Sequence, residues 1–196
     1  ESMSNERRKM LLLLGAKIIL TPAKEGMVGA IKRANEMNKN IKNSIILQQF
    51  SNPANPAIHY KTTAVEIWND TEGKVDNLVS GVGTGGTLTG VAKFLKQKNP
   101  NIKIFAVEPE DSAILSGGPA GSHLIQGIGA GFVPENLSMK LIDEIISINN
   151  NTAFEFSRLL AKLEGIPVGI SSGAALSAAV EINERKEMKN KKTVVI

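Results

Sequence analysis

The chain has 196 residues, with 23 Lys and Arg against 19 Asp and Glu, two His and no Cys. A chain of this length makes one large domain or parts of two, and it buries roughly 70% of its unfolded surface without a disulfide or metal staple. The lack of Cys excludes zinc–thiolate sites, iron–sulfur clusters, disulfide frameworks and a catalytic thiol within these residues, and it fits a reducing compartment such as the cytoplasm. The net charge is only +4, carried by 18 Lys and 5 Arg, and aromatics make up 4% of the chain. Nucleic-acid readers instead show arginine clusters with interleaved aromatics. The densest charged run, Glu184–Lys192, carries both signs and reads as solvated surface. The apolar run Met10–Leu14 is far shorter than the roughly 18 residues a membrane helix needs. No nucleic-acid or membrane partner and no metal are therefore expected.

The elements alternate along the chain. Ser4–Leu14 reads as a helix capped by Ser4 and closed by Gly15. Lys17–Leu20 is a short apolar strand, stopped by Thr21-Pro22. Gly26–Asn38 places Met27, Ile31 and Ala34 on one helical face. Ser44–Leu47 is the next strand, and Pro53–Asp70 carries Ala57, Ala64, Ile67 and Trp68 on a helix. Val75–Val79 is a strand, Thr87–Lys98 a helix and Ile102–Val107 a strand. A glycine-rich stretch follows over Ser112–Gly131. Leu141–Ile148 is a strand, Thr152–Glu164 and Gly173–Lys186 are helices, and Thr193–Ile196 begins another strand. Repeated strand–helix units of this length imply an α/β fold with parallel sheet covered by helices on both faces. Gln48–Pro56, with its prolines and asparagines, is the candidate crossing between two lobes. The chain starts without Met inside a charged run and stops on Thr193-Val194-Val195-Ile196, as if cut in mid-strand. It is expected to be a piece of a longer protein.

Eleven of the 18 glycines fall between Gly81 and Gly131. The sharpest cluster is Ser80-Gly81-Val82-Gly83-Thr84-Gly85-Gly86-Thr87, which follows an apolar strand and opens a helix. Backbone N–H groups at a helix N-terminus make an anion site, and glycines let the backbone approach the anion. Thr84 and Thr87 add hydroxyl donors. Three readings compete. Gly81-x-Gly83-x-x-Gly86 satisfies the dinucleotide fingerprint, with Glu108 placed 22 residues past Gly86 where a ribose-binding acid would stand. The loop could instead cradle a phosphate monoester, or be only a tight turn. A bulky β-branched residue at Gly85 is expected to lose the ligand before the fold. A Walker loop is excluded, because no Gly-Lys-Ser/Thr follows. Gly169-Ile170-Ser171-Ser172-Gly173-Ala174-Ala175 is a second strand–turn–helix junction. One serine is expected to cap the helix there, or to face a ligand. A phosphate-bearing heterocycle gives both junctions a task, whereas a dinucleotide leaves Ser171 none.

Six motifs occur in register: Ser80–Thr87, Gln48-Gln49-Phe50-Ser51-Asn52-Pro53-Ala54-Asn55-Pro56, Val107-Glu108-Pro109, Ile114-Leu115-Ser116-Gly117-Gly118, Gln126-Gly127-Ile128-Gly129-Ala130-Gly131-Phe132 and Gly169–Ala175. Together they closely resemble the cysteine synthases (O-acetylserine sulfhydrylases), pyridoxal phosphate (PLP) enzymes of the tryptophan-synthase-β fold type, also called fold type II. The resemblance runs over essentially the whole chain. It implies a two-lobed α/β architecture with parallel or mixed sheets, truncated at both ends. Residues 1–47 would be the remainder of a smaller mobile N-terminal domain, and 48–196 an incomplete larger PLP-binding domain.

Residue by residue, the resemblance implies that Gly83, Thr84, Gly85, Gly86 and Thr87 hold the PLP phosphate. It makes Ser171 the partner of the pyridine nitrogen, and it places Gln49, Phe50 and Gly127 on the substrate side. His59 and His123 match family histidines near the cleft mouth and read as surface or packing residues. A neutral serine hydroxyl does not force the ring nitrogen to be protonated, which suits elimination of acetate and addition of sulfide. The family's Schiff-base lysine has no counterpart among the 18 lysines, so no catalytic residue is assigned in this chain. The implied activity is formation of L-cysteine from O-acetyl-L-serine and sulfide by a cytoplasmic homodimer. The C-terminal peptide of serine acetyltransferase is a possible partner under the same resemblance. Alternatives are a related PLP lyase such as cystathionine β-synthase, an NAD-dependent oxidoreductase using Glu108, or a non-catalytic peptide-binding module.

Overall fold

The computed structural model describes residues 1–196, and the chain divides into two compact units, Glu1–Leu47 and Gln48–Ile196.

The first unit holds two helices, α1 (Asn5–Leu13) and α2 (Gly26–Asn40). Ser4 caps α1, its hydroxyl accepting from the Arg7 N–H as the sequence predicts. The expected strands Lys17–Leu20 and Ser44–Leu47 do not form, and the sheet includes neither segment. Apolar β-branched pattern gives a segment its tendency, but a strand exists only where a neighbour accepts its hydrogen bonds. Only Gly29 is buried in this unit, and Leu13, Ile45 and Leu47 are more than three-quarters exposed.

The second unit is a parallel α/β layer structure. Its helices are α3 (Ala54–Lys61), α4 (Thr63–Asp70), α5 (Gly86–Lys98), α6 (Asn150–Glu164) and α7 (Ile170–Asn183). Its strands are β1 (Asn77–Gly81), β2 (Lys103–Pro109), β3 (Glu144–Ile148) and β4 (Thr193–Val195). They form one sheet in the order β3-β2-β1-β4, every pair parallel. The register sets Leu78 beside Ile104 and Val79 beside Phe105. Alternate residues then feed opposite cores, because strand side chains have period two. Leu78, Ile104 and Ala106 join Leu88, Val91 and Leu95 of α5 and Ala64 of α4. Val79, Phe105 and Val107 join Ala174, Ala178 and Ile182 of α7 and Ala153 of α6. Helices thus cover both faces.

The single helix expected over Pro53–Asp70 is interrupted at Thr62, which sits at φ −120° and ψ −75°. Its hydroxyl donates to the Ile58 carbonyl at 2.8 Å, a local alternative to the helical ladder. The strand expected from Leu141 starts at Glu144, because Met139–Leu141 is a 3-10 turn. No helix is long and apolar enough to cross a membrane.

Candidate functional site

In a parallel sheet every strand ends on the same side, and open α/β sheets bind ligands there. The loop after β1 leaves the sheet at Gly81 and turns into α5. Gly85 is the N-cap of α5, at φ +76° with no side-chain cap bond. That left-handed backbone suits glycine, and a Cβ would lie 2.6 Å from Leu137 Cβ. The N–H groups of Thr84, Gly85 and Thr87 find no acceptor within the chain, while Gly86 N–H donates weakly to Thr84 Oγ1 at 3.3 Å. Thr84 and Thr87 bring hydroxyls to the same turn. The helix N-terminus adds roughly half a positive charge. A Cβ on Gly83 would run into the Gly127 carbonyl oxygen, and one on Gly86 into the Asn55 side chain. The result is a cradle of free donors kept open by missing side chains.

The second junction lies beside it. α7 begins at Ile170 with Gly169 as N-cap, and no side chain caps it. The expectation that a serine caps this helix is therefore corrected. Ser171 and Ser172 are already inside the first turn, where the hydroxyl cannot reach back to satisfy the end. Ser171 Oγ stands 3.5 Å from the point a Gly127 Cβ would occupy, and Gly127 itself is at φ +106°. Gly83 and Gly127, from two loops, and Ser171, from the first turn of α7, are thus brought together.

Gln49 and Phe50 are held against the same loop by their backbone. Asn55 Nδ2 donates to the Gln49 carbonyl at 2.8 Å and to Thr84 Oγ1 at 3.0 Å. Asn136 Nδ2 donates to the Gln49 carbonyl at 2.8 Å, and its N–H to the Phe50 carbonyl at 3.0 Å. The Phe50 ring meets Phe132 edge-on at 5.1 Å, and the Gln49 side chain is exposed. Sequence reasoning missed Asn55 and Asn136 as positioning residues. Asn55 sits in a motif already singled out, but Asn136 has no local signal; its role depends on a contact 87 residues away.

The histidines have defined partners. His59 lies between Thr63 and Thr87 hydroxyls, and His123 Nε2 pairs with the Gly129 carbonyl at 2.9 Å.

Glu108 does not stand where a ribose acid would. It is 2% exposed, and its carboxylate accepts from the N–H groups of Leu115 and Ser116 and from the Ser116 and Ser147 hydroxyls. All its capacity is taken up in anchoring the segment after β2. The dinucleotide reading loses its acidic residue.

The groups with shifted titration lie at the other end of the sheet. Hydrogen bonds from the Lys192 N–H and then from the Lys191 side chain hold Asp76 below its ordinary value, against the opposing effect of burial. Burial pushes Asp143 up, but hydrogen bonds from Lys96, the Ile104 N–H and Lys103 outweigh it and leave the carboxyl lowered. The bidentate Arg185 guanidinium lowers Glu144, and the same pairing raises Arg185.

Comparison with known proteins agrees with this geometry. Residues 1–196 match the family described as pyridoxal-phosphate dependent enzyme. Cysteine synthase A of Escherichia coli K12 is 50% identical over all of this chain, which covers 64% of that relative. The crystal structure of a cysteine synthase from Entamoeba histolytica superposes with a TM-score of 0.93 at 48% identity, over 100% of this chain and 58% of that one. An O-acetylserine-dependent cystathionine β-synthase from Helicobacter pylori gives 0.91 at 41% identity, over 98% and 62%. The chain spans less than two thirds of the length of the curated relatives it matches.

The glycine cradle, the free N–H groups and the unpartnered Ser171 hydroxyl fit a phosphorylated pyridine ring, and with the match over its full length the chain belongs to the pyridoxal-phosphate dependent enzyme family.

Proposed function

We propose that the whole protein catalyses β-replacement, converting O-acetyl-L-serine and sulfide to L-cysteine and acetate. The observation that carries this reading is the convergence of the β1–α5 cradle with the Ser171 hydroxyl across Gly127, in a chain half identical to a cysteine synthase throughout. Gly83, Thr84, Gly85, Gly86 and Thr87 hold the phosphate through backbone N–H groups and two hydroxyls. Ser171 hydrogen-bonds the pyridine nitrogen without imposing a charge on it. The cofactor, when bound, supplies the electron sink for chemistry at the substrate α- and β-carbons. Gln49, Phe50 and Gly127 border the substrate, and the Phe50–Phe132 pair keeps water from that side. Acetate leaves the β-carbon as the α-proton is lost, and sulfide takes its place as a proton returns. These 196 residues hold no Cys, so no thiol among them takes part.

Under this reading residues 1–47 belong to a smaller mobile domain and 48–196 to the PLP-binding domain. The protein works as a cytoplasmic homodimer, and its cleft accepts the C-terminal peptide of serine acetyltransferase. No lysine here takes the Schiff-base role, which falls to the part of the protein beyond this chain.

The test uses the whole protein with PLP. A visible absorbance abolished by borohydride, and cysteine formed from O-acetylserine and sulfide, are the expected results. An absorbance-free protein whose NADH fluorescence rises instead would overturn the assignment. A second reading, a thiol in place of sulfide, is favoured by the likeness to the Helicobacter pylori enzyme. Comparing rates with sulfide and with homocysteine at equal concentration separates the two.

A further inference from the structure

His59 of α3 stands between two threonine hydroxyls. Its Nδ1 is 2.9 Å from Thr63 Oγ1 at the start of α4, and its Nε2 is 3.2 Å from Thr87 Oγ1 in the first turn of α5. The backbone that carries the ring is held there by packing independent of these bonds. A Cβ on Gly90 would lie 2.8 Å from His59 Cβ and from the Tyr60 N, and one on Gly86 would strike Asn55. Two glycines one turn apart therefore let α3 close onto α5. Tyr60 adds an edge-on contact with Phe94 at 5.5 Å and a hydrogen bond to Gln97 at 2.6 Å.

A neutral imidazole has one donor and one acceptor, and a hydroxyl has one proton. Two arrangements satisfy the three groups. In the first, the Thr87 O–H donates to Nε2, and Nδ1–H donates to Thr63; Thr87 then offers only lone pairs to the loop. In the second, the Thr63 O–H donates to Nδ1, and Nε2–H donates to Thr87 Oγ1; the Thr87 proton is then free to point into the loop. A phosphate offers acceptors, so it selects the second. Which ring nitrogen carries the proton is set by the bond the other makes.

We propose that His59 is a positioning residue for the cofactor phosphate, turning the Thr87 hydroxyl into a donor aimed at the β1–α5 loop. This rests on the reading of that loop as the phosphate cradle. The chain of donors runs in one direction, from Thr63 through His59 and Thr87 to the anion, and each bond polarises the next.

The first experiment is 15N NMR of the whole protein labelled in its histidine rings, with and without PLP, using His59→Gln for assignment. The PLP-loaded protein is expected to carry the His59 proton on Nε2 alone. A ring protonated on Nδ1, or on both nitrogens, overturns the proposal. The second compares affinities for PLP and for pyridoxal, which lacks the phosphate. His59→Leu is expected to weaken PLP about tenfold, the scale of one hydrogen bond to a charged group, and to leave pyridoxal unchanged. His59→Gln keeps a donor at the Nε2 position and is expected to retain most of the PLP affinity. Equal loss for both ligands, or no loss for either, overturns the positioning role. Thr87→Val separates the two levels. If it leaves PLP affinity unchanged, the cradle reading itself fails. If it weakens PLP while His59→Leu does not, only the role of His59 fails.

Discussion

The two ends of the sheet are built from opposite materials. At the end where strands begin, Asp76, Asp143 and Glu144 are fixed by lysines, an arginine and backbone N–H groups. At the end where strands finish, β1 runs into glycines, and two helices start without a capping side chain. Two other helices are capped by side chains: Ser4 serves α1, and Asn149 accepts from the Thr152 N–H at the start of α6. The missing caps at α5 and α7 leave donors that a ligand can use. One end is satisfied internally and gives stability. The other leaves donors free, as the proposed cofactor site requires.

The largest effect is expected from filling the cradle. Gly85→Val adds a β-branched side chain at φ +76° and drives it against Leu137. Left-handed strain of about 1–2 kcal/mol and overpacking of about 1–3 kcal/mol act together. The sequence alone suggests loss of ligand before loss of fold. With Leu137 behind the loop, both should go, seen as a lowered melting temperature even without PLP. An unchanged melt with intact PLP retention would mean the loop is not packed as described.

Glu108→Gln comes next. The carboxylate accepts from four donors, and an amide would turn one oxygen into a donor facing another donor. A loss of about 1–3 kcal/mol follows from leaving such a group unpaired. Denaturant melts measure it, and faster proteolysis near Leu115 and Ser116 should accompany it. A variant as stable as the parent would return Glu108 to the list of ligand-facing groups.

Asp143→Asn probes the other end and should cost about 1 kcal/mol near neutral pH, because a partly exposed ion pair is worth little and the Ile104 N–H keeps an acceptor. Its folded value is lowered, so its contribution is full above the ordinary carboxylate range, about pH 4, and is lost as pH falls through the folded value. The gap between variant and parent should therefore close as the solution is acidified, while PLP retention at neutral pH stays unchanged. A gap that widens in acid would reverse the sign of the argument.

Much of this was readable from residue order. Short apolar runs marked β1 and β2, and the glycine cluster after β1 marked the candidate cradle. Ser171 was singled out by its place at a junction, and only the family resemblance offered it a role. What local pattern did not reveal depends on partners distant in the chain. Lys17–Leu20 has strand composition but no neighbour to pair with. Asn136 reaches Gln49 across 87 residues, and Glu108 finds its donors on two later segments. The absence of a serine cap on α7 was equally hidden. Gly169 and Ser171 are both acceptable N-caps, and only the three-dimensional start of the helix chooses between them.

That choice supports the smallest and most specific effect. Ser171 Oγ accepts no bond from the helix it opens, so Ser171→Ala removes no internal hydrogen bond. Its stability should change by no more than about 0.5 kcal/mol, as for substitutions that disturb no packed or paired group. If the hydroxyl instead serves the ring nitrogen of a bound cofactor, the absorbance of the PLP-loaded protein should shift while its melting without PLP does not. Replacement by Asp pushes further, since a carboxylate favours a protonated ring nitrogen where a hydroxyl does not. A spectrum that stays the same in both variants would place Ser171 outside the cofactor's reach. A large loss of stability in Ser171→Ala would show that this end of the sheet, like the other, is satisfied from within.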